Sequence, residues 1–263
     1  MVRRAATAAG RAQSGYFSIE GIRLHERALR AGRQVEMAVL GRSFAQDPSP
    51  RIQSLLYDLQ QAACSLVPVA DEVMIDLTGG RDLGAIIGLL PLPEPLTLVD
   101  VIRNSAAEPP LLLVAAGVKD PGNAGALMRT TLASGATAFI ACGVCDPYHP
   151  KAVRTSMGSL FKLPVVTAVS AQELLPQLAD FGIQSVGLAV DGTVPLPQVE
   201  TAEKGTAVVV GCEAWGLSPD VQAALDCLVS IPMRKDVDSF SVNAAAAIAL
   251  YELGLRRAFE DLA

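Results

Sequence analysis

From residue 111 onward, short apolar runs alternate with stretches of helical spacing. That rhythm restricts the fold more than any other feature of the 263-residue chain. Leu111–Ala116, Ala136–Cys142, Val165–Ala168, Gln184–Val190, Ala207–Gly211 and Cys227–Ile231 read as strands. Ala124–Ser134, Ala152–Ser159, Ala171–Asp180 and Pro219–Ala224 read as helices between them, and a last helix runs from Val242 to Phe259. Strands that are apolar along their whole length are buried on both faces, as happens when helices cover both sides of a parallel sheet. The expected fold class is therefore α/β. Ligands of such sheets bind beyond the carboxyl ends of the strands, so chemistry is expected in the loops that follow them.

Pro and acidic residues punctuate the chain at Leu92-Pro-Glu-Pro-Leu96 and again at Glu108-Pro-Pro110, which places a domain boundary between residues 105 and 106. Ahead of it, Phe17–Ala31 carries Ile19, Ile22, Leu24 and Leu29 at helical spacing. Val35–Leu40, Ser65–Val69 and Ala85–Leu90 read as strands, and Ser49–Ala63 and Ala70–Leu77 as helices. The expectation is a small α/β domain over 1–105 and a larger parallel-sheet domain over 106–263.

Composition narrows the function classes. With 51% hydrophobic and 18% charged residues, the chain has the means for a sizeable core and too little charge for disorder. The net charge of −6 is unevenly spread: residues 1–42 sum to +5 and residues 43–263 to −11. An Arg-rich segment on an acidic body suits a protein that grips RNA with one end; a solvated amphipathic helix accounts for it equally well. Cys64, Cys142, Cys145, Cys212 and Cys227 are odd in number and scattered, unlike a disulfide framework. Cys142 and Cys145 form a C-x-x-C without a second pair, and His25 and His149 are the only histidines, so no metal is expected. Met1-Val-Arg-Arg leads into no apolar stretch of a secretion signal, and the run Leu111–Val118 is far below the roughly 20 residues of a membrane span. A cytoplasmic protein without a membrane partner is expected.

Three loops carry candidate chemistry. Lys119-Asp-Pro-Gly-Asn-Ala-Gly-Ala-Leu-Met-Arg129 follows a strand and opens a helix, with Asn123 read as its N-cap and Arg129 about two turns on. An anion or ribose beside a helix amino terminus fits there, as does plain capping. In Val210-Gly-Cys-Glu-Ala-Trp-Gly-Leu-Ser218, Glu213 stands between glycines that permit close backbone approach to a ligand. The spacing is not that of the dinucleotide fingerprint, which disfavours a nucleotide-cofactor oxidoreductase. A βα turn with a solvated Glu, and Trp215 as interface packing, is the structural alternative. Ile231-Pro-Met-Arg-Lys-Asp-Val-Asp-Ser-Phe-Ser-Val-Asn243 brings Ser239, Ser241 and Asn243 to the start of a helix whose Ala244–Ala247 run allows tight packing; helix capping alone also explains it.

Together and in this order, the three loops resemble motifs 1, 2 and 3 of the SpoU/TrmH family of SPOUT-class RNA methyltransferases. Asp146-Pro-Tyr-His-Pro-Lys-Ala-Val-Arg-Thr-Ser-Met-Gly-Ser-Leu-Phe161 is similar to a further family segment. Tyr16-Phe-Ser-Ile-Glu-Gly-Ile-Arg23 resembles the start of the RNA-binding domain that precedes the catalytic domain in one branch. The resemblance implies a carboxyl-terminal trefoil knot, a homodimer, S-adenosylmethionine as methyl donor, and transfer to a ribose 2′-hydroxyl. By analogy with that branch the substrate is large-subunit ribosomal RNA. A tRNA 2′-O-methyltransferase and a catalytically weak paralogue that binds RNA or assists ribosome assembly are the alternatives.

By the same resemblance, Gly211, Leu217, Ile231, Met233 and Phe240 hold the cofactor, and Arg129, Asn123, Glu213 and Ser239 occupy active-site positions. Arg23, Lys151 and Arg154 are the expected RNA contacts. One departure concerns motif 3. The family commonly reads Ser-Leu-Asn-Val-Ser where this chain reads Ser239-Phe-Ser-Val-Asn243, exchanging the polar pair. Two residues turn a helix by about 200°, so Asn243 is expected to point away from the family position and Ser241 to take over part of its role.

Overall fold

The computed structural model describes residues 1–81, 85–105, 108–168, 170–234 and 236–260, the side chains of 255–260 excepted. The chain forms two compact units: Met1–Glu94 with Tyr148–Lys162, and Pro95–Pro147 with Leu163–Ala263.

The first unit holds a mixed sheet of β1 (Tyr16–Glu20), β2 (Met37–Gly41), β3 (Ser65–Val69) and β4 (Ile86–Pro91), in the order β1-β4-β2-β3. β4 is antiparallel to β1 and β2, and β2 is parallel to β3. Phe17–Glu20, anticipated as the start of a helix, is strand. Phe17 and Ile19 alternate with Ser18 and Glu20, and all four pair along β4 from Leu90 to Ile87. Gly21, at φ 86°, ends the strand, and the helix runs from Ile22 to Arg30. Ile19 and Ile22 stand three apart, so the same residues satisfy a helical spacing by coincidence. Helices Val2–Ala5 and Ala8–Ser14, not anticipated, precede β1.

Tyr148–Lys162 lies in sequence between two strands of the second sheet yet packs in the first unit. Its helix Pro150–Thr155 lies against β1. Tyr148 tilts its ring over Phe17, with centroids 5.4 Å apart. Arg154 donates to Glu20 at 2.9 Å, Arg33 Nε donates to the Phe161 carbonyl at 2.9 Å, and Arg27 donates to the Met157 carbonyl.

The second unit is built on a parallel sheet of β5 (Leu111–Ala116), β6 (Ala138–Cys142), β7 (Val165–Ala168), β8 (Gln184–Leu188), β9 (Val194–Pro195), β10 (Thr206–Val210) and β11 (Cys227–Ser230). Their order is β7-β6-β5-β10-β8-β11-β9, and each pairing is parallel. Every residue of β6 and β10 is buried, as expected of strands covered on both faces. Helix Leu98–Asn104 joins this unit, because Leu98 and Val101 are buried with Leu112, Val114 and Ile140. The unit therefore begins ahead of the boundary placed between 105 and 106. Of the residues at that boundary, Ala106 and Ala107 lie outside the described ones.

From β5 the chain winds outward through β6 to β7, whereas β10 lies on the other side of β5. By the general rule for parallel sheets, a ligand site is expected in the loops at such a reversal, here those after β5 and β10. The helix after β5 runs from Pro121 to Ala133, and its N-cap is Asp120, whose carboxylate accepts from the Asn123 N–H at 3.1 Å. Asn123 is thus not the cap as anticipated. Pro121 takes the first helical position, where its missing N–H costs nothing, and Asp120 falls before it.

Candidate functional site

The loop after β10 folds back on itself. Cys212 and Gly216 exchange backbone hydrogen bonds of 2.9 and 2.8 Å, and Gly216 adopts φ 66° to close the turn. A Cβ on Gly211 would fall 2.2 Å from the Gly216 carbonyl carbon, so no larger residue fits where the turn crosses its own base. The turn presents Glu213 toward the loop after β5.

Glu213 accepts from the backbone N–H groups of Lys119 and Asp120 at 3.3 and 3.2 Å and from Asn123 Nδ2 at 2.9 Å. It thereby bridges the ends of β5 and β10. Asn123 Oδ1 in turn accepts from Asn243 Nδ2 at 2.9 Å. One residue from each of the three loops enters this chain of hydrogen bonds. Partial burial pushes the Glu213 carboxyl up, but the Asn123 amide and the surrounding backbone N–H groups outweigh it and hold it below the usual carboxylate range. Glu213 is therefore an anion at neutral pH, an acceptor and not a proton donor. Asn243 Oδ1 is buried and has no hydrogen-bond partner among the described residues.

Beside this network lies a cleft of about 500 Å³ at the ends of β8, β10 and β11. Gly211, Leu217, Ile231, Met233 and Phe240, the five residues expected at the cofactor, all line it, together with Glu213 and Ser239. Leu188–Asp191, the last residue of β8 and the loop after it, forms another wall. Walls that mix apolar side chains with polar groups suit a small organic ligand, and the volume is in the usual range for one.

Other expected residues fall elsewhere. Arg129 is exposed on helix Pro121–Ala133 and is not among the cleft-lining residues. Ser241 Oγ accepts from the Ala244 N–H at 3.3 Å and caps the helix Val242–Glu260. Ser241 thus serves as helix cap, and it is Asn243 that reaches Asn123, the reverse of the expected exchange. Asn243 sits in the first turn of that helix, and the helix axis, packed on Pro121–Ala133, brings its amide to Asn123. Arg23 and Lys151 are exposed in the first unit. Arg154 lines a separate cavity there, of about 340 Å³, with Arg3 and Arg81.

Sequence reasoning misses the Lys119 and Asp120 backbone groups and the Leu188–Asp191 wall. The second had a signal, since it too is a loop after a strand. Among the described residues no group of three or more His, Cys, Asp or Glu side chains is placed to hold a metal. No helix among them is long and apolar enough to cross a membrane.

The fold and site define a parallel-sheet α/β protein with a glycine-walled ligand cleft at its strand ends. The chain belongs to the SpoU rRNA Methylase family, whose sequence model matches residues 110–251. It is 36% identical over 170 residues to an uncharacterised tRNA/rRNA methyltransferase of Mycolicibacterium smegmatis, covering 62% of this chain and 52% of that protein. The chain thus spans about half the length of the first curated relatives it matches. Among solved structures, the SpoU methyltransferase AviRb from Streptomyces viridochromogenes, in complex with its cofactor AdoMet, superposes with a TM-score of 0.82 at 25% identity, covering 98% of this chain and 96% of that one. A structure described as an RNA 2′-O ribose methyltransferase matches with a TM-score of 0.76 at 29% identity, covering 98% and 94%.

Proposed function

We propose that this chain is an S-adenosylmethionine-dependent RNA methyltransferase that modifies a ribose 2′-hydroxyl of large-subunit ribosomal RNA, acting as a cytoplasmic homodimer with a carboxyl-terminal knot. One observation carries the reading: the Glu213–Asn123–Asn243 network stands at the rim of a cleft lined by all five expected cofactor residues. The residues fit the cofactor. Gly211 lines the cleft and makes room for the turn that crosses it, Leu217, Ile231, Met233 and Phe240 supply apolar surface, and neither cleft nor network calls for a metal. The cofactor supplies a methyl group already activated on a sulfonium.

The work left to the chain is to hold a hydroxyl in line, at roughly 3–3.5 Å, and to favour its loss of a proton. Glu213, Asn123 and Asn243 form a rigid polar surface against which a ribose is oriented. Arg129 remains charged at any working pH, so its part is to stabilise the emerging oxyanion electrostatically, not to remove the proton. The first unit, with Arg23, Lys151 and Arg154, supplies the grip on the RNA. The bond from Asn243 to Asn123 favours an active enzyme over a weakened paralogue, because the exchanged motif still delivers an amide to the network.

The test is methyl transfer from radiolabelled S-adenosylmethionine to total RNA, followed by nuclease digestion. Label in a 2′-O-methylnucleoside of the large ribosomal RNA is expected. Label on a base would refute the ribose assignment, and label confined to tRNA would refute the target.

A further inference from the structure

We propose that Trp215 is a stacking platform for an unpaired nucleobase of the RNA substrate, displayed at the mouth of the cofactor cleft; this rests on the reading that the substrate is RNA. Trp215 is the sole tryptophan of the chain and is 86% exposed, the most exposed large apolar side chain among the described residues. An indole in water forfeits the burial that a residue of this size normally finds. It is not carried on a loose loop. The reciprocal hydrogen bonds of Cys212 and Gly216 close the turn around it, and Glu213, two positions earlier, is tied down by three donors. A flat ring on so rigid a stem loses little freedom on binding, which is what a stacking contact requires.

Its place selects the occupant. Trp215 belongs to the cleft lining, yet its exposure shows that most of the indole stands outside, while Gly211 and Leu217 line the interior. Two residues of chain span at most about 7 Å. A nucleotide whose ribose rests against Glu213 therefore brings its own base, or its neighbour's, within reach of the ring. Proteins that engage single-stranded RNA stack splayed bases on such aromatics, and the contact tolerates any base because each has a π-face. The neighbouring Ala214 and Gly216 have no side chains large enough to obstruct it. Trp215 acts by touching substrate, so its effect falls on RNA binding and leaves the cofactor alone.

Because no other tryptophan contributes, the emission of the full chain excited beyond the tyrosine absorption band reports on Trp215 alone. We expect a single-stranded RNA oligonucleotide to quench it, while S-adenosylmethionine alone and serial dilution of the protein leave it nearly unchanged. Trp215→Ala should raise the KM for RNA about ten-fold, the size of one lost stacking contact, with cofactor affinity unchanged, and Trp215→Phe should recover most of the loss. Emission unmoved in an RNA complex visible by electrophoresis overturns the proposal. So does a full response to the cofactor alone, which would assign the ring to the cofactor's adenine, or a shift on dilution, which would assign it to a second copy of the chain. If Trp215→Ala methylates RNA with unchanged KM, the stacking role falls and the enzyme reading stands. If the wild type neither binds nor methylates RNA, both fall together.

Discussion

The two sheets handle their polar groups in opposite ways. In the first unit, carboxylates are held by arginines: Glu20, whose side chain is 8% exposed, receives Arg81 through two contacts of 3.2 Å and Arg154 at 2.9 Å. Glu26 receives Arg51 at 2.7 and 2.9 Å. His25 is completely buried; its Nδ1 contacts the Gly21 carbonyl at 2.8 Å, and burial pushes its pKa down to about 4 despite that bond. In the second unit, the site is fixed by backbone N–H groups and amides, with Glu213 as its charge. Amides and backbone keep their geometry over a wide range of pH and salt, whereas ion pairs and a buried imidazole do not. A site built of the first kind and a unit built of the second should fail under different conditions.

The sharpest way to break this comparison lies in the second unit. Arg129→Ala should lower kcat by about 100- to 1,000-fold, the usual cost of losing one oxyanion-stabilising donor, with cofactor affinity by calorimetry nearly unchanged. Equal loss of both would remove Arg129 from the substrate side. Acid should act on the first unit. Between pH 6.5 and 4 the unfolded chain protonates His25 and the folded chain does not, so stability falls as pH falls, by up to about 3 kcal/mol. Denaturant midpoints across this window should show the slope in the wild type and a flatter one in His25→Gln; equal slopes would place the acid sensitivity elsewhere. Asn243→Ala removes one hydrogen bond from the site and should cost about 1 kcal/mol, a five- to ten-fold fall in kcat. An unchanged rate would return the network to a structural role. The smallest effect is expected of Lys151→Ala: a few-fold weaker RNA binding and a salt dependence shallower by about one unit, measured by titration at several salt concentrations.

Much of the second sheet is legible in the sequence because burial on both faces leaves unbroken apolar runs. Leu111–Ala116 and Val165–Ala168 are strands over the anticipated residues, and helices Ala171–Asp180 and Pro219–Ala224 also match. β9 is two residues long and ends in Pro195, too short to carry a period. β1 is misread as the start of a helix, since its four alternating residues run directly into one. The cleft follows motif positions, and all five residues expected at a cofactor line it. The Asn243 contact does not follow from sequence, because helical rotation says which way a side chain points along its own axis and nothing about where that axis lies. The joining of Tyr148–Lys162 to the first unit is equally hidden: its partners, Glu20, Arg27 and Arg33, lie more than a hundred positions away.

That returning segment has a consequence for how the protein is made. Residues 1–94 leave the ribosome without the strip that packs on β1, and 53 further residues of the other unit, 95–147, must be translated before it emerges. At about 5–20 residues per second, the nascent first unit spends roughly three to ten seconds with Phe17 lacking its Tyr148 cover and Glu20 lacking Arg154. Chains arrested shortly after residue 94 should be cut readily by protease within β1, and chains arrested well past residue 162 should resist. Equal resistance at both lengths would mean that the strip is an ornament on a unit already complete without it.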